Sequence, residues 1–211
     1  YTFNTKGAEE NCIFLDSLEN AERFHHKLLD ALLQLNESQG KLSIGIVGAG
    51  ATGVELAAEL HHVIESVKEY GYLNISKHHL DVHLIEASPK ILPQLPEKVS
   101  ARAQSVLDKI GIKLHLGVQV KEVTVQGFVT PDGDVIEASL KVWAAGVKGP
   151  AVCAKFTSLP ITPRNQIDVD ACMRVKGQED IYAIGDIAAL ILENGKAVPR
   201  RAQSADQMAD R

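Results

Sequence analysis

Three glycines carry the first chemistry legible in this chain. Gly48, Gly50 and Gly53 stand at G-x-G-x-x-G spacing, with Ala49, Ala51 and Thr52 between them. The apolar run Leu42–Val47 precedes them and reads as a buried strand. Val54, Leu56, Ala57 and Leu60 follow at helical spacing. Strand, turn and helix in that order predict a cradle for a dinucleotide. Gly48 permits the tight turn, Gly50 lets backbone approach a pyrophosphate, and Gly53 lets helix and strand pack closely. The helix start then offers unpaired N–H groups and the positive end of its dipole to the phosphates.

Carboxylates supply the next candidates. Glu86 ends the apolar stretch Val82–Glu86, where such a fold places the acid that hydrogen-bonds the adenosine ribose. Its distance from the glycines exceeds the usual interval of about twenty residues, and the polar stretch Gly71–His79 accounts for much of the excess. A carboxylate there repels a 2′-phosphate and so favours NADH over NADPH, although Lys90 nearby works against that preference. A solvated acid at a strand end is the bland alternative. Glu55, in the first turns of the helix, admits two readings: interaction with the helix dipole, or contact with the nicotinamide or its ribose. Ala144-Ala145-Gly146 ends another apolar strand, where small residues let a flat ring lie against backbone. The single tryptophan, Trp143, fits a core position better than a stacking one.

Other chemistries find less support. The adjacent pairs His25-His26, His61-His62 and His78-His79 point about 100° apart on a helix, a poor chelating geometry, so no metal is expected. Cys12, Cys153 and Cys172 are isolated and form no CxxC or disulfide framework, which points to a reducing compartment. A net charge of −5 without a long basic run argues against a nucleic-acid partner. No apolar stretch has the length of a membrane span, and no signal peptide is seen.

The elements that must position these residues spell an α/β order. Asp16-Ser17-Leu18-Glu19 has capping-box spacing and predicts a helix over Ser17–Leu35. Residues 1–15 read as extended, and 36–40 as a linker. Strand Leu42–Val47, helix Thr52–Glu69, strand Leu80–Glu86, a helix from Pro96 to Ile110 and strand Ile112–Leu116 come next. Val118–Gln126, Gly127–Thr130 and Val135–Ala138 form a β-meander around the turn Pro131–Asp134, and strand Leu140–Ala144 closes the unit. This is a Rossmann-like parallel sheet with a meander over one face. Further on, strands are expected at Asn165–Val169 and Asp180–Ile184, with a hairpin turn at Glu193–Lys196. Ala188–Arg211 is expected to be the loosest stretch.

Five segments resemble the type II NADH dehydrogenases, the non-pumping NADH:quinone oxidoreductases of the pyridine nucleotide–disulfide oxidoreductase superfamily. They are Gly48–Leu60, Val82–Pro96, Val142–Pro150, Asp180–Asp186 and Val198–Gln207. The resemblance implies that Gly48, Ala49, Gly50, Ala51, Thr52 and Gly53 hold the NADH pyrophosphate and that Glu86 binds the adenosine ribose. It implies Glu55 near the nicotinamide, with Ala145 and Gly146 bordering its path. Asp186 would meet the phosphate–ribitol region of FAD, Ala202 and Gln203 the flavin ring, and Gln207, with Gln203, the quinone. The AQxxxQ pattern of Ala202, Gln203 and Gln207 distinguishes quinone reductases from the disulfide, ferredoxin and peroxide reductases of the superfamily. A non-catalytic NADH-sensing module is the other alternative.

By the same resemblance, residues 1–40 are a linker and helix on the FAD side, 41–148 the NADH domain, and 149–211 part of an FAD-binding domain. The parent would lie peripherally on the cytoplasmic side of the bacterial inner membrane, reaching the membrane surface through segments outside this soluble piece. The piece alone is expected to be inactive, and to favour a homodimer through a face that a longer chain would cover.

Overall fold

The structure, a computed structural model, describes residues 2–38, 40–70, 74–146, 148–199 and 201–210. Residue 39 of the expected linker and residues 71–73 of the expected polar connection lie outside these. The described residues divide into two compact units, one over 2–146 and one over 148–210.

The first unit is built on a five-stranded, all-parallel sheet. Its strands are β1 (Ile13–Phe14), β2 (Leu42–Val47), β3 (Leu80–Glu86), β4 (Lys113–Leu116) and β8 (Leu140–Trp143). Their order is β1-β8-β2-β3-β4. The helices are α1 (Ala8–Asn11), α2 (Leu18–Ser38), α3 (Ala51–Ser66) and α4 (Glu97–Lys109). β5 (Glu122–Val123), β6 (Gly127–Val129) and β7 (Val135–Glu137) make a separate antiparallel meander.

Alternation along the strands sorts side chains onto two faces. Ile44, Ile46, Val82, Leu84 and Val142 pack against Phe24, Leu28, Leu32 and Leu35 of α2, Ala57 and Leu60 of α3, and Leu107 of α4. Val47, Ile85 and Trp143 face the other way, onto Val123, Phe128 and Ile136 of the meander. Helices therefore cover one face and the meander the other, as the sequence order predicts. Gly45 makes the second layer possible: a Cβ there would lie 2.3 Å from the Phe128 ring. Phe128 is fully buried, and burying a ring of that size contributes about 2 kcal/mol. Lys141, also buried, donates to the carbonyls of Val125 at 2.8 Å and Ala138 at 3.0 Å, tying the meander to the sheet.

Several local expectations change. The first fifteen residues are not simply extended, because α1 forms and β1 pairs with β8 through Ile13–Val142 and Phe14–Trp143. α1, β1 and α2 thus belong to the same compact unit as β2 and β8. The start of α2 is capped by Ser17 rather than Asp16: the Asn20 N–H donates to Ser17 Oγ at 3.2 Å, while Asp16 accepts from the Asn20 amide side chain. The long strand expected over Val118–Gln126 shrinks to Glu122–Val123.

In the second unit β9 (Ile167–Val169) and β10 (Ala188–Leu190) pair in parallel, and α5 (Ala202–Ala209) follows. Ile167, Val169, Val175, Ala183 and Met208 form its small core. Asp180–Ile184 does not form the expected strand. Its apolar side chains Ile181, Tyr182 and Ile184 are exposed, and only a single bridge joins Tyr182 to Arg174. Ala188–Arg211, expected to be loose, instead supplies Ala188, Leu190 and Met208 to the core. The hairpin turn forms as expected, closed by the Leu192 N–H donating to the Lys196 carbonyl at 2.9 Å.

Candidate functional site

β2 delivers the chain directly into the glycine turn. Gly48 has φ +103°, a region open to glycine, and its N–H donates to the Ile85 carbonyl at 2.8 Å. A Cβ on Gly48 would also meet Ala145 at 2.9 Å or closer. A Cβ on Gly53 would lie 1.9 Å from the Gly48 carbonyl oxygen. Gly50 differs: a Cβ there would meet nothing within 4 Å. The backbone at Gly50 is therefore open to a ligand, while Gly48 and Gly53 close the turn beneath it.

The first hydrogen bond of α3 runs from the Val54 N–H to the Gly50 carbonyl at 3.0 Å. The N–H groups of Ala51, Thr52 and Gly53 consequently have no acceptor within the helix. No side chain caps this end of α3. Donors, positive dipole end and open backbone converge at one spot, an arrangement suited to a pyrophosphate.

Glu86 closes the turn from the side. One carboxylate oxygen accepts from the Ala49 N–H at 2.8 Å, and the other from the Ser88 N–H at 2.8 Å. This clamp is invisible in the sequence, which marks Glu86 only as an acid at a strand end. Each oxygen retains a second lone-pair direction, so ribose hydroxyls can still donate to it. The Leu92 N–H donates to the Ala49 carbonyl at 2.7 Å and braces the turn further. Lys90, which could attract a 2′-phosphate, is engaged elsewhere, donating to Glu97 at 3.0 Å and to the Leu95 carbonyl at 3.3 Å.

Ala145 packs on Gly48, and Gly146 follows with φ +70°. β8 and β2 therefore bring Ala145 beside the glycine turn at the same sheet end, with Gly146 next in the chain. Glu55 is exposed on α3, one turn beyond Thr52. Trp143 is buried in the core between sheet and meander, as expected.

A feature the sequence did not flag lies on β3 and β4. His83 Nδ1 and His115 Nε2 are 3.0 Å apart, with the rings stacked at 5.2 Å. Parallel register brings them together, and neither belongs to an adjacent pair. Burial, then the neighbouring His115 and Lys113 charges, push His83 down to about 4, against a smaller opposing pull from Asp81. Burial and Lys113 lower His115 too. Among the described residues, no group of three or more His, Cys, Asp or Glu side chains could hold a metal.

The second unit presents its own recess. Asp186 is exposed within the 3-10 turn Gly185–Ile187. Pro199, Arg201 and Ser204 line the recess beside it. On α5, Ala202, Gln203 and Gln207 are exposed while Met208 is buried. Gln203 and Gln207, four residues apart, share one helix face.

The model of the pyridine nucleotide-disulphide oxidoreductases matches residues 1–209. The chain belongs to this family. Its membership accords with the expected superfamily and with the Rossmann-like sheet. A type II NADH:quinone oxidoreductase of Haemophilus influenzae is 44% identical over 224 residues, spanning 98% of this chain and 50% of that protein. An internal alternative NAD(P)H-ubiquinone oxidoreductase of Arabidopsis thaliana mitochondria is 34% identical, over 98% of this chain and 41% of that protein. The structure of NDH2 from Plasmodium falciparum in complex with NADH matches with a TM-score of 0.76 at 25% identity. That match covers 90% of this chain and 42% of the other. This family member thus spans about half the length of the curated relatives it matches or less. No described helix is long and apolar enough to cross a membrane.

Proposed function

We propose that this chain is the NADH-binding part of an FAD-dependent NADH:quinone oxidoreductase. The observation that carries the proposal is the glycine turn. Its backbone is open at Gly50, it is closed beneath by Gly48 and Gly53, and it is clamped by Glu86. The likeness to type II NADH:quinone oxidoreductases supports the quinone end of the reaction.

In this reading Ala51, Thr52 and Gly53 N–H groups hold the pyrophosphate, and Glu86 accepts from the adenosine ribose while bracing the loop. Glu55, Ala145 and Gly146 border the nicotinamide. In the second unit, which we assign to an FAD-binding domain, Asp186 offers an exposed acceptor to the cofactor's hydroxyls. Ala202 and Gln203 face its ring, and Gln203 and Gln207 orient the quinone carbonyls. FAD, when bound, accepts the hydride of NADH and donates two electrons onward. The balance is NADH plus a proton plus quinone giving NAD⁺ plus quinol. The chain's side chains position and polarise, and none is assigned as a classical acid or base. We place the whole protein peripherally on the cytoplasmic face of a membrane that holds the quinone. The 211 residues alone are not proposed to turn over.

Steady-state assays of the full-length protein with NADH and a short-chain quinone test this reading. Gln207→Leu should raise KM for quinone several-fold and leave KM for NADH unchanged. Turnover with a disulfide or ferredoxin but not with quinone would overturn it.

A further inference from the structure

Gln166 is one of few polar side chains buried among the described residues, at 4% exposure. Such a group persists only when its hydrogen bonds are met. Its Nε2 donates to the Asp186 carbonyl at 2.8 Å and to the Ala188 carbonyl at 3.1 Å. Its own backbone is fixed in turn: the Gln166 N–H donates to Thr162 Oγ1 at 3.2 Å, and its carbonyl accepts from the Thr162 N–H at 2.7 Å. One amide group therefore pins both ends of the peptide stretch Asp186–Ala188. From the other side, the Gly185 N–H donates to Met208 Sδ of α5 at 3.2 Å. The turn bearing Asp186 is thus held between the Gln166 amide and the helix that carries Gln203 and Gln207.

We propose that Gln166 is a positioning residue for cofactor binding, setting the turn so that Asp186 presents its carboxylate to the hydroxyls of FAD. The inference rests on the reading that Asp186 meets FAD. Gln166 touches no reacting atom and acts only through this turn. The pattern of burial decides against a purely space-filling role, because an apolar side chain would fill the volume and leave two carbonyls without donors.

The test uses the full-length apo-protein, titrated with FAD and followed by flavin fluorescence quenching. Gln166→Glu keeps the shape and removes the donors. Gln166→Met keeps the length without adding charge. Each should weaken FAD binding by about tenfold, the scale of two lost neutral hydrogen bonds. NADH affinity should stay close to that of the parent, and the melting midpoint should fall by only a few degrees, with the fold retained, as two buried carbonyls lose their donors. Asp186→Ala should weaken FAD binding too, and the double variant Gln166→Met/Asp186→Ala should bind no more weakly than Asp186→Ala alone. Additive losses, or a folded Gln166→Met protein with unchanged FAD affinity, would overturn the inference and leave the reading of Asp186 intact. Loss of the fold in Gln166→Met would also overturn it, since the role then lies in the core. An unchanged affinity in Asp186→Ala would overturn the underlying reading instead.

Discussion

The Glu86 carboxylate accepts a hydrogen bond from the Ala49 N–H at 2.8 Å, joining the end of β3 to the glycine turn. Its second oxygen takes the Ser88 N–H at the same distance. A side chain expected only to sense a ribose thus also holds the loop that receives the phosphates. Glu86→Gln separates the two roles, because an amide offers one acceptor oxygen where the loop presents two donors. NADH affinity should fall by about tenfold, with the preference over NADPH reduced. Glu86→Ala should narrow that preference further. Nucleotide titrations of the three proteins check both effects.

The glycines predict opposite outcomes for the same substitution. Gly53→Ala drives a methyl group into the Gly48 carbonyl, 1.9 Å away. It should destabilise the protein by about 3 kcal/mol, seen in urea unfolding. Gly50→Ala meets nothing and has an ordinary φ of −72°, so its stability should be unchanged. Its methyl group occupies the open approach, and NADH affinity should drop by about tenfold.

The paired imidazoles give a pH signature. His83 is held down to about 4 in the folded chain, and His115 is lowered as well. The unfolded chain, with imidazoles near 6.5, binds these protons first. Stability is therefore full above about pH 6.5 and falls as pH drops from there toward 4. Asp81, lowered by its hydrogen bond to Lys113, adds a loss only at and below the ordinary carboxylate range. Melting midpoints between pH 7.5 and 4.5 should decline, and His83→Leu should flatten the decline.

Thiol chemistry separates the cysteines. Cys172 is exposed, whereas Cys12 and Cys153 are buried. Burial pushes Cys12 up to about 12, partly offset by the Lys141 ammonium. An aromatic disulfide reagent should label one thiol rapidly and the other two only upon unfolding. Cys172→Ser should abolish the rapid phase.

What was legible in the sequence was local. β2, β3, the glycine turn and Glu86 are contiguous patterns, so their positions follow from periodicity and spacing. Long-range features were not legible. β1 is two residues whose strand character comes from pairing with β8, and the His83–His115 contact needs the register of β3 and β4. Gln166 sits in an unremarkable turn, and its importance lies in two carbonyls some twenty residues downstream. Tyr182 and its apolar neighbours looked like a strand by composition. They find no partner strand beyond one bridge, and Ile181, Tyr182 and Ile184 stay exposed while Ala183 turns into the core.

The most direct measurement of the central claim is a titration of this chain with NADH and then NADPH. It would follow quenching of the buried Trp143 and energy transfer to the nicotinamide. The account predicts saturable binding with a preference for NADH that Glu86→Ala narrows. Absence of saturable binding by either nucleotide would contradict the assignment of the glycine turn as a dinucleotide site.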